Sequence, residues 1–329
     1  MTSRYQVEDR AAHFWKELFK RWEVLLLGIF VMIFVFNSLH SDHFLDPYNL
    51  ADSTFNFSEK ALLALPMALL IICREIDLSV AAIMALSSMA MGLANQHGLS
   101  AYELAAIGIG TGVLCGLMNG VLVTKFRLPS IVVTIGTMSL FRGIASVVLG
   151  DQAFTNYPTE FGEWGQGYAW GIIPKEFIVF LVAIVVFSLL LHATTFGRRL
   201  FAIGNNPIAS RFTGIRVEQH KLFLFVLMGA MAGLASVLLT ARIGSTRPNM
   251  ALGWELEAIT MVILGGVSIA GGIGTMLGVV IAIFTMGMVT YGMSLDNIPG
   301  IIMTILVGFL LLVTITVPAV LRLGTVRKE

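Results

Sequence analysis

Residues 101–124, AYELAAIGIGTGVLCGLMNGVLVT, decide the architecture. About 20 consecutive apolar residues in a helix cross the hydrocarbon core of a bilayer, and Glu103 is the sole charge in this run. Gly108, Gly112, Gly116 and Gly120 recur every four residues, so they line one helix face. With no side chains along that face, another helix can approach closely, and Asn119 beside the seam offers a hydrogen bond across it. Tight helix packing is the preferred reading of the four glycines, ahead of pore lining.

The same kind of run recurs on both sides. Apolar cores fall near 23–39, 59–73, 78–95, 130–149, 176–193, 221–241, 254–268, 274–292 and 299–321. The chain therefore reads as an all-α polytopic membrane protein with about ten transmembrane helices in a permease domain over 23–321. Composition agrees: 57% of the 329 residues are hydrophobic and 12% charged, against roughly 45–50% and about 25% in soluble domains. Residues 1–22 carry both charge signs with Trp15 and Trp22, which suits a retained cytoplasmic segment with an interfacial helix. Residues 322–329 read as a cytoplasmic tail. Cys73 and Cys115 sit in apolar runs and read as small core residues.

Orientation follows from the basic residues. With the N-terminus inside, 16 of the 21 lysines and arginines fall on the cytoplasmic side. Lys60, Lys175, Arg242 and Arg247 fall outside, and Arg142 lies within a span. Both termini are then cytoplasmic, 194–220 is the longest inner connection and 150–175 the longest outer one. The outer connection, rich in aromatics and glycines, suits a short interfacial helix or lid.

Several residues interrupt the apolar pattern. Arg142, well inside the fifth span, requires a partner in protein or water. Arg74, Glu75 and Asp77 break the chain between the second and third spans, and Glu255 and Glu257 open the eighth. Short broken helices at matching places point to a substrate route between inverted five-helix repeats; interfacial charges outside the hydrocarbon explain the same residues. The inner loop TTFGRRLFAIGNNPIASRFTGIRVEQHK places a turn at Asn205-Asn206-Pro207 before a short helix stopped by Gly214. It reads either as a lever for a motor protein or as a topology-fixing basic loop. The cluster LGGVSIAGGIG (264–274) implies a tight turn or re-entrant bend, and no G-x-x-x-x-G-K-[ST] phosphate loop exists in the chain. No catalytic constellation and no metal-ligand spacing is present, and nothing points to nucleic acid. An ion-coupled secondary transporter, the alternative function, calls for carboxylates near the midplane, whereas the acids here gather at span ends.

Four blocks then resemble the ribose-type permeases of bacterial sugar ABC importers: IDLSV (76–80), GLMNGVLVTKFRLPSIVVTIGTMSLFRG (116–143), the loop from Gly197 to Ile215, and AGLASVLLTARIGSTRPNMALGWELEAITMVILGGVSIAGGIGTMLG (232–278). The resemblance implies a subunit of the inner membrane that is not itself an enzyme. A second permease subunit, identical or homologous, completes the pore. An ATP-binding cassette ATPase docks on the inner loop, and a periplasmic binding protein delivers the sugar. ATP and magnesium belong to the ATPase, leaving this chain without a cofactor. Gly197, Gly204, Asn205, Ala209, Gly214 and Ile215 occupy the coupling segment. Asp77, Asn119, Thr134, Thr137, Ser139, Arg142, Glu255 and Glu257 are the expected residues of the route. Two departures stand out: Arg74-Glu75 replaces a glycine pair, and Pro207 replaces a charged residue. The overall look favours rhamnose as cargo, with ribose-like sugars and autoinducer-2 as alternatives.

Overall fold

The computed structural model describes residues 22–150 and 152–326. The expected interfacial segment, with Trp15, lies outside them, apart from Trp22. In chain order the helices are α1 (Trp22–His40), α2 (Pro47–Ser53), α3 (Phe55–Ile72), α4 (Val80–Asn95), α5 (Ala101–Thr124), α6 (Ser130–Leu149) and α7 (Thr159–Gln166). A two-stranded hairpin follows, β1 (Tyr168–Ala169) and β2 (Ile173–Pro174). Then come α8 (Lys175–His192), α9 (Thr195–Asn205), α10 (Pro207–Phe212), α11 (Val217–Ile243), α12 (Trp254–Leu264), α13 (Met276–Leu295) and α14 (Gly300–Val326). Helix α14 runs through the expected boundary at 321 without a break.

Local signals fix the boundaries that matter. Ser100 and Glu103 form a reciprocal capping box that starts α5, and Pro129, with φ preset near −60°, starts α6. Among the described residues, seven helical segments are long and apolar enough to cross a membrane: α1, the α2–α3 stretch, α5, α6, α8, α11 and α13. Helix α4 and residues 300–313 of α14 are apolar but shorter. The run 254–268 departs from expectation. Its helix, α12, has 11 residues, about 16 Å of rise, roughly half a hydrocarbon core. Gly265 leaves the helix and Gly266 takes φ +86°, which halts the helix while the apolar run continues.

Helix α3 is the centre of the bundle. Every residue from Ala61 to Cys73 is buried, as expected of a helix that is apolar all round. Helices α8, α11, α12 and α13 pack around it, α1 lies on α13, and α4 meets α5, α6 and α11. Residues 265–275 run between α12 and α13 without helical structure; Gly271 and Gly272 adopt φ +81° and +76°, and the backbone is satisfied by neighbours rather than lipid. Trp22 donates from Nε1 to the Leu264 carbonyl at 2.7 Å. The apolar run beside it cannot cap its own last carbonyls, and the indole does so.

Candidate translocation route and coupling surface

The two polar interruptions lie at opposite ends of the bundle, and α6 touches both. At the first, residues 73–79 between α3 and α4, Asp77 is fully buried and accepts from the Ser79 amide (2.8 Å) and hydroxyl (2.6 Å). Asn119, equally buried, donates to Ser79 Oγ at 2.8 Å and to Asp77 at 3.4 Å. Its hydrogen bonds therefore go to this break and not across the glycine seam. From α6, Ser130 Oγ accepts from the Ile76 amide at 3.3 Å, and Thr134 packs beside Ile76 while bonding the Ser130 carbonyl at 2.8 Å.

The second interruption is the loop 244–253 between α11 and α12. Arg142, three turns along α6, donates through Nη1 to the Pro248 carbonyl (2.9 Å) and the Met250 carbonyl (2.7 Å). The partner required for this charge is thus backbone. Glu255 stands nearby as a coulombic neighbour of Arg142, with Oε2 buried and accepting no hydrogen bond. Glu257 is drawn elsewhere: it pairs with Lys60 at 2.7 Å, whose ammonium also lies 5.1 Å from the Trp254 ring centre. Thr137 is buried against its own helix, whereas Ser139 faces outward from the bundle with Gly136 and Gly143. Of the expected route residues, the fold groups Asp77 with Asn119 and Thr134, sets Arg142 near Glu255, and separates Ser139 and Glu257 from both groups.

A hydroxyl chain ties the 150–175 connection to the same loop. Thr246 Oγ1 lies 2.6 Å from both Ser88 Oγ and Tyr157 OH, and Ser88 Oγ is 2.7 Å from Thr240 Oγ1. Burial pushes the Tyr157 phenol up to about 12, against the opposing pull of its Thr246 hydrogen bond.

The inner loop forms two helices that the sequence resolved only in part. Helix α9 buries Gly197, Leu200, Ile203 and Gly204 against the bundle. A Cβ on Gly204 would stand 1.9 Å from the Ile72 carbonyl oxygen, so only glycine fits. Asn205 donates to the Phe201 carbonyl at 2.9 Å, and Asn206 caps α10 through Ile208 and Ala209 amides. Helix α10, which carries Ala209, presents Ile208 (64% exposed) and Phe212 (88% exposed). Gly214 ends this stretch with φ +85°, and Ile215 leads into α11. Beside it a cavity of about 570 Å³ is lined by Arg199, Gly214, Ile215, Arg216 and His220.

The glycine face of α5 lies on α11, the most extensive helix pairing among the described residues. A Cβ on Gly112 would come within 2.2 Å of the Gly229 oxygen, and one on Gly116 within 2.3 Å of the Phe225 oxygen. Gly108 and Gly120 meet Met91, Val237 and Leu222 side chains.

One cluster escaped the sequence reading. Arg242 donates to Glu59 at 2.7 Å and stands 3.9 Å from Glu176, both carboxylates being fully buried. A signal existed. Lys60, Lys175 and Arg242 sit on the side poor in basic residues, and each pairs with an acid.

A bundle of apolar helices, seven of them among the described residues long enough to span a bilayer, is a multi-pass membrane protein. The family described as branched-chain amino acid transport system / permease component matches residues 49–315. The chain is 32% identical over 316 residues to the ribose import permease protein RbsC of Bacillus subtilis, covering 95% of this chain and 97% of that one. It is 31% identical to the autoinducer 2 import system permease protein LsrD of Yersinia enterocolitica (89% and 90% covered). It is 32% identical to the L-arabinose ABC transporter permease protein AraH of Azospirillum brasilense (89% and 88%). The chain belongs to this family, among its ribose-type sugar ABC permeases.

Proposed function

We propose that this chain is the membrane subunit of a binding-protein-dependent ABC importer that moves a monosaccharide across the bacterial inner membrane. The observation that carries the reading is the solvent-facing pair Ile208 and Phe212 on α10, held out from the bundle by the buried face of α9. Exposed large apolar groups on a short anchored helix suit docking into a partner, and a cassette ATPase supplying ATP and magnesium is the partner that the relatives' names suggest. On this reading the chain has ten spans with both termini cytoplasmic, and α9–α10 belongs to the inner side. The 150–175 connection then faces the periplasmic binding protein, and a second permease subunit covers the outward face of α6 with Ser139.

Transport proceeds by alternating access. ATP-driven closure of the cassettes moves the inner loop, and the two interruptions along α6 exchange which end is open. A cargo shifts such an equilibrium only through differential affinity, so weak hydrogen bonds from Asn119, Thr134 or Ser139 suffice. The relatives are named for ribose, L-arabinose and autoinducer 2; none supports the lean to rhamnose, which stays one candidate among these sugars. An ion-coupled transporter finds no support among these relatives.

The test is purification of tagged chain in mild detergent, followed by mass spectrometry and an ATPase assay with candidate sugar-loaded binding proteins. A co-purifying cassette ATPase stimulated by one of them supports the assignment. Chain recovered alone, driving uptake in liposomes from an ion gradient, overturns it.

A further inference from the structure

Arg74 and Glu75 point away from the route and toward the inner loop. Arg74 adopts φ +64°, a left-handed backbone that glycine takes without strain and arginine does not. Its side-chain contacts must offset that strain. Nε donates to the Gly204 carbonyl at 2.6 Å and Nη2 to the Asn205 carbonyl at 2.9 Å. These are the last carbonyls of α9, which lack intrahelical donors and carry the negative end of the helix dipole. The next residue, Glu75, is buried and accepts from Lys221 Nζ in the first turns of α11. The two grips therefore fall on either side of α10, which spans 207–212 between them. The same backbone is fixed to neighbouring 271–272, where the Gly272 amide donates to the Ile72 carbonyl at 2.9 Å. Two residues further along stands Asp77, with its bonds to Ser79 and Asn119.

We infer that Arg74 and Glu75 form a two-point clamp that carries displacement of the α9–α10 loop into the α3–α4 break, making both of them positioning residues for transport. The inference rests on the proposed role of that loop in coupling to an ATPase. Neither residue needs to touch cargo or nucleotide. A push on α10 reaches Arg74 through the end of α9 and Glu75 through the start of α11. The break is covalently continuous with both grips and hydrogen-bonded to α5 and α6.

The test uses the full chain reconstituted with its cassette ATPase and binding protein, scoring uptake of labelled ribose, L-arabinose and rhamnose per ATP hydrolysed. Arg74→Gly suits the backbone and removes the side chain with both of its hydrogen bonds. Sugar moved per ATP is expected to fall roughly tenfold, the ratio that corresponds to one charge-assisted hydrogen bond, with the amount of assembled complex retained. Glu75→Lys does the same, and pairing it with Lys221→Glu restores coupling. A readout that needs no sugar uses Cys73, which is buried with its thiol 3.7 Å from the Leu200 carbonyl of α9. In a Cys115→Ala background, ATP with vanadate should change the rate of maleimide attack on Cys73, and Arg74→Gly should abolish that change. Unaltered coupling and an unaltered Cys73 response in Arg74→Gly overturn the clamp, as does uptake that falls only in step with assembled complex. Failure of the wild-type chain to bind any cassette ATPase instead overturns the coupling role of the loop, a result read before any variant is made.

Discussion

Arg242, near the end of α11, donates to Glu59, near the start of α3, at 2.7 Å, where the carboxylate has no exposure to solvent. Glu176 from α8 shares the site, and three of the four carboxylate oxygens accept no hydrogen bond. One guanidinium thus faces two buried acids. Arg242→Met leaves both without a cation and should cost about 3–5 kcal/mol of stability. Glu176→Gln removes the surplus charge and should leave melting in detergent unchanged or higher. A lower melting temperature for Glu176→Gln than for Arg242→Met would contradict this account.

The glycine seam makes a position-specific forecast. Gly112→Ala places a methyl 2.2 Å from the Gly229 oxygen, which must force α5 from α11, whereas Gly110 has open space around its Cβ. Overpacking of this kind costs about 1–3 kcal/mol. Thermal unfolding should separate the two alanine variants, with Gly110→Ala at or above the parent, since alanine favours a helix interior over glycine.

Arg142 holds the 244–253 loop through two carbonyls. Arg142→Met strands them and should cost about 1.5–3 kcal/mol along with most uptake. Arg142→Lys keeps a donor within the same cluster and should recover part of both. Full uptake by the methionine variant, measured in reconstituted liposomes, would show that the loop needs no such tether.

Phe212 makes no demand on the bundle, being 88% exposed. Phe212→Ala should leave the melting temperature of the isolated chain unchanged. If α10 docks an ATPase, it should weaken that binding roughly tenfold, the effect of an aromatic anchor worth about 1.4 kcal/mol or more. Equal ATPase capture by the variant would move the docking site elsewhere.

Alkaline pH probes the outer connection. The Tyr157 phenol is pushed from its ordinary 10.0 up to about 12 by burial. The folded chain therefore binds this proton more tightly than the unfolded one. The resulting stability is fully present below pH 10.0 and is lost as pH rises through about 12. Tyr157→Phe should flatten that part of the stability profile, and identical slopes would exclude the assignment.

How much of this was legible beforehand depends on the kind of signal. The expected spans 101–124 and 130–149 coincide with α5 and α6, since Ser100, Glu103 and Pro129 mark the ends and composition marks the rest. The broken helix at 254 and the bend at 264–274 were legible from the glutamates and glycines; the helix end was not, because hydropathy continues through Gly265 and Gly266 while backbone geometry does not. Arg142 was visible as a charge in need of a partner, but its partners are carbonyls 106 and 108 residues away, and every residue has one. Glu59 and Glu176 were not singled out, because sequence reports distance along the chain, not enclosure by α3, α8 and α11. Arg74 and Glu75 were noticed as departures; only the fold shows that they reach opposite sides of one short helix.

Helix α6 meets residue Ile76 in its first turn and, through Arg142 three turns on, the Pro248–Met250 loop. A stiff rod tethered at two points cannot tilt at one without moving the other. Two segments remote from each other in the chain thus share one rigid support, and a substitution that shifts α6 at either tether should be felt at the other.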